Sequence, residues 1–189
     1  MRSAILRTLV VVAIAAAGAA GCADAPAGVP AAAPPAAAQH AADVAYAQMM
    51  TPHVGQGVEL TDLVPGRAAD PALAQLAQSM NYVDVEEQGQ LAGQLHLWRA
   101  PVPGEAGVPS TRMPGLADQT ALDRLRGMAG PAFDQAWLAV MIAHHQGGVD
   151  MSRDYLARGS GQALSGVAQA QEQVGTAQIG QMRALQPAG

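Results

Sequence analysis

The chain has 189 residues, room for one core of ordinary domain size and not for two large domains. Half of it is hydrophobic, much of that Ala, and only six residues are aromatic, a mix that favours helices over a β-sandwich. Ten Arg and no Lys against fifteen acids give a formal charge of −5, without the basic footprint of a nucleic-acid binder, and the single cysteine, Cys22, excludes an intrachain disulfide, a Cys-ligated zinc site and a CxxC redox pair.

Residues 1–21 read as an export signal. Arg2 and Arg7 precede an apolar run over 8–17 (TLVVVAIAAA) that is too short for a good membrane span, and Ala19-Ala20-Gly21 brings small residues up to Cys22. That ending resembles a bacterial lipoprotein processing site, in which cleavage leaves Cys22 as a lipid-carrying N-terminus. Ordinary signal cleavage beside an incidental cysteine is the alternative. Both routes put the mature protein outside the cytoplasm, and the first makes the membrane its partner. Losing 1–21 leaves eight Arg against fifteen acids, a charge of −7, so the acyl chains rather than a polybasic patch form the anchor. Residues 22–40, almost wholly Ala and Pro, read as an extended tether, with a solvated His40 at its border.

From residue 41 to 187 the chain reads as one helical domain built on a duplication. A shift of 91 residues, without gaps, lays 43–64 on 134–155 and 66–92 on 157–183. It aligns Asp43 with Asp134, Met50 with Met141, His53 with His144, Gly57 with Gly148 and Gly89-Gln90 with Gly180-Gln181. In the first repeat, 43–99, Asp43 is expected to cap a helix carrying Tyr46, Met50, His53 and Leu60, with a kink at Pro52. Pro65-Gly66 ends it, and Asp70-Pro71 opens a second helix running to about Trp98, with His96 on its surface. The crossover, 100–130, is rich in Pro and Gly and holds a short helix over 118–128. In the second repeat, 131–187, Asp134 is the expected N-cap. Phe133, Trp137, Met141, His144, Gly148, Met151 and Tyr155 recur at three or four residues as one helical face, up to a stop at Arg158-Gly159-Ser160-Gly161. A last apolar series runs from Leu164 to Leu185. Neither hairpin buries its apolar face alone, so the expected fold is all-α, an antiparallel four-helix bundle of two repeated hairpins.

Chemistry concentrates in Met141-Ile142-Ala143-His144-His145-Gln146-Gly147-Gly148-Val149-Asp150-Met151. Met141, His144 and His145 stand at i, i+3, i+4, and Met151 lies two turns beyond His144. Imidazole with thioether suits copper better than magnesium, calcium or iron, while zinc needs the imidazoles alone. A Met stripe is also ordinary core filling, and a His-His pair is also a hydrogen-bonded structural feature. The alignment of both His53 with His144 and Met50 with Met141 favours the ligand reading, because packing alone does not require both.

These residues resemble the bacterial DUF305 proteins. The shared pattern is Phe133-Asp134, the Met141–Met151 segment, Gln178-Ile179 with Gln181-Met182, and Met113-Pro114-Gly115 upstream, over about 41–186. The resemblance implies a ferritin-like bundle, often exported or lipid-anchored, with copper binding and copper tolerance through Met and His in some members. The first repeat departs from the pattern, with Val54 for the second His and Leu60 for the downstream Met. Gln178 stands where the family has an acid, and Glu87 holds the matching place in the first repeat.

The expected function is an extracytoplasmic, lipid-anchored copper-binding protein using Met141, His144, His145, Met151, Met182 and His53, with Glu59 and Glu87 as contributors if the site lies between the repeats. The alternative is a structural or protein-interaction envelope lipoprotein without metal. A carboxylate-bridged oxidase wants paired Glu-x-x-His elements, which the chain lacks, and no Ser sits in a nucleophile elbow, so no enzymatic role is expected. Methionine-rich seams also suit a homodimer.

Overall fold

The computed structural model describes residues 36–104, 113–158 and 163–187. The export signal, Cys22, most of the 22–40 tether and the Gly159-Ser160-Gly161 stop lie outside the described residues. Those described form five helices and no strand: α1 (Ala36–Asp62), α2 (Pro71–Leu97), α3 (Gln119–Arg126), α4 (Gly130–Ala157) and α5 (Ser165–Ala184). α1 pairs with α2 and α4 with α5, the two hairpins meet through α1 and α4, and α3 packs on α4. The result is a four-helix bundle with a short crossover helix, the architecture that two mutually dependent hairpins require.

Several helix ends follow the sequence signals. Asp70 caps α2, its carboxylate accepting from the Ala72 amide at 2.8 Å, with Pro71 in the first turn. Asp118 caps α3 in the same way through the Ala121 amide, also at 2.8 Å.

Others differ from expectation. α1 begins at Ala36, inside the segment read as an extended tether. Ala36-Ala37-Ala38 is a run of the strongest helix former, and once one end of a helix is anchored by packing, such a run extends it. Asp43 is therefore a mid-helix residue rather than a cap. It is buried and accepts a hydrogen bond from the Tyr155 hydroxyl of α4. Asp134 is not the cap of α4 either, whose N-cap position, Ala129, makes no side-chain bond. Its carboxylate reaches across to the amides of Ala69 (3.1 Å) and Asp70 (2.9 Å) and so pins the start of α2.

The apolar core divides in two. One cluster gathers Leu60, Leu73, Met80, Phe133, Trp137 and Met182 with their neighbours. The other gathers Tyr46, Met50, Leu91, Leu95, Met151 and Tyr155 with theirs. The Trp137 indole N–H donates to the Leu60 carbonyl at 2.8 Å, tying α4 to α1 in the first cluster. In the second, the Tyr46 and Tyr155 rings stack at 4.4 Å and the Tyr46 hydroxyl pairs with Ser152 at 2.9 Å.

The crossover is held against the helices. Gln56 of α1 bonds both the amide and the carbonyl of Ala117, at 2.7 and 2.9 Å. The Pro114 carbonyl lies 2.1 Å from where a Cβ on Gly147 would stand, so that glycine is the seat on which the crossover rests. Gly115, at φ +80°, makes the matching close approach to the Ala143 and His144 carbonyls.

Gly147→Ala is expected to destabilise the protein by about 1–3 kcal/mol, since a rigid backbone carbonyl must give way. Gly89→Ala, at an open position of α2, is expected to stabilise it by about 0.5–1 kcal/mol. Urea unfolding midpoints of the two variants check the contrast.

Candidate metal centre

Between the two apolar clusters each long helix turns polar on its buried face. α1 contributes His53 between Met50 and Leu60, and α2 contributes Asp84 and Glu87 between Met80 and Leu91. α4 contributes His144 and His145 between Met141 and Met151, and α5 contributes Gln178 between Ala168 and Met182. The polar side chains thus form a layer across the middle of the bundle.

Its centre is the crossing of α1 and α4. The His53 and His144 rings stack at 4.0 Å between centroids and within 13° of parallel, and both are almost wholly enclosed, at 1% and 4% exposure. Glycines one turn further along each helix make room. A Cβ on Gly148 would stand 3.1 Å from His53 Nε2, and one on Gly57 would stand 3.4 Å from His144 Cε1. Each helix therefore carries His-x-x-x-Gly, and each histidine enters the space left by the other helix's glycine.

Hydrogen bonding fixes which nitrogens are free. His144 Nε2 donates to the His53 carbonyl oxygen at 3.0 Å, because a carbonyl can only accept. In a neutral ring Nδ1 then bears the lone pair, and that atom is buried without a partner, as is His53 Nδ1. His145 Nδ1 donates to the Met141 carbonyl at 3.2 Å, and its Nε2 meets the Gln178 side-chain amide at 2.8 Å; a neutral ring has a single N–H, so the amide presents its NH2 there and Nε2 accepts. Burial holds all three rings neutral. His53 is pushed down to about 4 by burial and by His145; His144 is pushed well down by burial, by His53 and by His145. Burial also lowers His145, against the pull of its bonds to Gln178 and Met141. A neutral imidazole with a free lone pair is the form that binds metal, and His144 Nδ1 meets that description.

The carboxylates of α2 complete the layer. Asp84 Oδ2 and Glu87 Oε1 are buried and unpartnered, and burial raises both groups to about 7, Asp84 further through repulsion from Glu87. Sequence reasoning missed Asp84. Its signal is an acid inside the apolar spacing Leu73, Ala77, Met80, Asp84, Leu91, Leu95, where an acid has no packing reason to stand.

Of the expected ligands, the structure brings His53, His144 and His145 together. Met141 and Met182 border the layer in one cluster and Met151 borders it in the other, so the thioethers flank the imidazoles on two sides instead of gathering at one point. Glu59 turns outward and pairs with Arg126 of α3. His40 packs edge-on against Trp98 at 5.2 Å, and both it and His96 are exposed, away from the layer. Among the described residues no three of His, Cys, Asp and Glu converge as a cage for an ion. Among them, too, no helix is long and apolar enough to cross a membrane.

The DUF305 family model, a domain of unknown function, matches residues 43–186. A DUF305 protein of Streptomyces coelicolor, described as secreted, superposes with a TM-score of 0.69 at 26% identity, over 76% of this chain and 91% of that one. A DUF305 fragment from Deinococcus radiodurans also gives 0.69 at 26% identity, over 80% and 97%. CopM in its Cu(II)-bound form gives 0.64 at 24% identity, over 75% and 93%, and that protein is also known bound to Cu(I) and to silver. No curated protein matches the chain.

The opposed shifts in the layer predict a pH signature in metal-free buffer. As pH falls from about 7, Asp84 and Glu87 take up protons in the folded protein before they do in the unfolded chain, where they titrate near 3.8 and 4.5, and this adds stability. Over the same window the unfolded chain protonates its histidines near 6.5 while folded His53 stays neutral to about 4, and this removes stability. Asp84→Asn/Glu87→Gln is therefore expected to be more stable than the parent at pH 8 and to lose stability more steeply between pH 7 and 4. Urea midpoints taken across that range check it, and parallel curves would contradict it.

Proposed function

The chain belongs to the DUF305 family, and we propose that it is an extracytoplasmic metal-binding protein whose cargo is copper, held by imidazole and thioether groups of the central layer. The observation that carries this reading is the pair of buried, unpartnered imidazole nitrogens on His53 and His144, both on neutral rings. An unsatisfied buried polar atom costs about 1–3 kcal/mol, so two of them on stacked rings are a standing cost that a bound soft ion would offset.

In this reading His144 and His53 supply nitrogen, and His145 is a further imidazole oriented by Gln178. Met141, Met151 and Met182 supply sulfur from the edges of the layer. An ion held by the rings that also draws on thioether sulfur from the edges of the layer is copper in preference to zinc. The copper- and silver-bound forms of CopM, a protein of the same fold, support a metal as cargo. The export signal over 1–21 supports release outside the cytoplasm, and the run of small residues onto Cys22 supports a lipid anchor at the membrane. In this reading the protein acts as a binder, its layer offering donor atoms to an ion.

Elemental analysis of the purified protein after exposure to equal copper, zinc and iron tests this. The parent is expected to retain copper near stoichiometrically and His144→Ala/His145→Ala, while folded, to lose it. Copper should also stabilise the parent, by about 2.7 kcal/mol at a hundredfold excess over its Kd. Retention unchanged in the variant would overturn the site, and no metal in either protein would leave a structural lipoprotein.

A further inference from the structure

Four buried side-chain nitrogen or oxygen atoms have no hydrogen-bond partner among the described residues: His53 Nδ1, His144 Nδ1, Asp84 Oδ2 and Glu87 Oε1. All four belong to the same layer. Gly57 fixes how near they come. A Cβ there would stand 2.6 Å from Asp84 Oδ2 and 3.4 Å from His144 Cε1, so the carboxylate of α2 and the ring edge beside His144 Nδ1 face one another across a residue without a side chain. Asp84 is 9% exposed and His144 4%, so neither group has water as its default partner. Glu87 lies one turn along α2, on the same side as Asp84.

We propose that Asp84 and Glu87 close the site from α2, so that it also takes Zn(II), a divalent borderline cation, on a mixed imidazole and carboxylate set. The inference rests on the reading of the layer as a metal centre and adds a class of ion to it. Thioether sulfur selects soft monovalent ions, whereas carboxylate oxygen with imidazole nitrogen selects divalent ones. Two acids and two neutral imidazoles also balance a divalent charge that thioethers leave uncompensated in a low-dielectric interior. The donors do not converge as they stand, so closing on an ion turns side chains. Glu87, only half-buried and with three rotatable bonds, has the freedom to do so. Gly57 keeps the gap between Asp84 and His144 open.

Titrations of the purified protein with Zn(II), and separately with Cu(I), test the proposal. Asp84→Asn/Glu87→Gln, which keeps shape and removes charge, is expected to bind Zn(II) at least about tenfold more weakly. Its Cu(I) binding is expected to weaken by a smaller factor than its Zn(II) binding, since imidazole and thioether remain. Zn(II) affinity unchanged in the folded variant, or no Zn(II) binding by a parent that takes Cu(I), would overturn the carboxylate role while leaving the copper reading intact. A parent that binds neither ion would overturn both. X-ray absorption of the Zn(II)-loaded parent needs no variant: the expected first shell is nitrogen and oxygen at about 2.0–2.2 Å, and a sulfur shell near about 2.3 Å would contradict the proposal.

Discussion

The close crossing of α1 and α4 is the contact on which the rest of the molecule depends. Two helices carrying imidazoles at their point of contact pack face to face only if something small stands opposite each ring, and here Gly57 and Gly148 supply that room reciprocally. The His144 bond to the His53 carbonyl then locks the arrangement and determines which nitrogen keeps its lone pair. Because the two histidines are equivalent positions of the duplicated unit, the crossing is also the place where the repeats meet. The buried imidazole pair is a property of the junction and not of either hairpin.

Around that crossing the molecule separates its two tasks. Apolar clusters on either side, each drawing on α1, α2, α4 and α5, carry the hydrophobic stabilisation. The layer between them contributes little of it and holds two acids and three neutral imidazoles at a cost. Burial drives every one of these groups toward its uncharged form, which keeps the layer tolerable in an apolar interior. Methionines one turn from the polar residues join the layer to the clusters. A thioether packs as a hydrophobe and still offers a donor atom, so it suits either neighbour.

Much of this was legible in the sequence, and the reasons are specific. The 91-residue repeat paired His53 with His144 and Gly57 with Gly148, which are the residues that meet at the crossing. Asp70-Pro71 marked the start of α2 because its cap is local chemistry. Asp43 and Asp134 misled because the same residue type serves as a cap or as a long-range acceptor, and only tertiary structure decides which: one receives the Tyr155 hydroxyl and the other the amides ahead of α2. The start of α1 at Ala36 was hidden because Ala and Pro together read as tether, whereas the Ala run continues a helix already fixed by its packed end. Asp84 was overlooked because attention to His and Met patterns passes over an acid in an apolar stripe, and its repeat mate is Gly175, so the duplication gave no hint. Glu87 was seen only through its pairing with Gln178 across the repeat.

The account stands on the layer at the α1–α4 crossing being where metal is held. Anomalous diffraction at the copper edge, from crystals of the copper-loaded protein, tests that most directly. The expected result is a strong peak between α1 and α4 within bonding distance of His144 Nδ1. Peaks confined to surface positions such as His40 or His96, with the layer empty in fully loaded crystals, would contradict it.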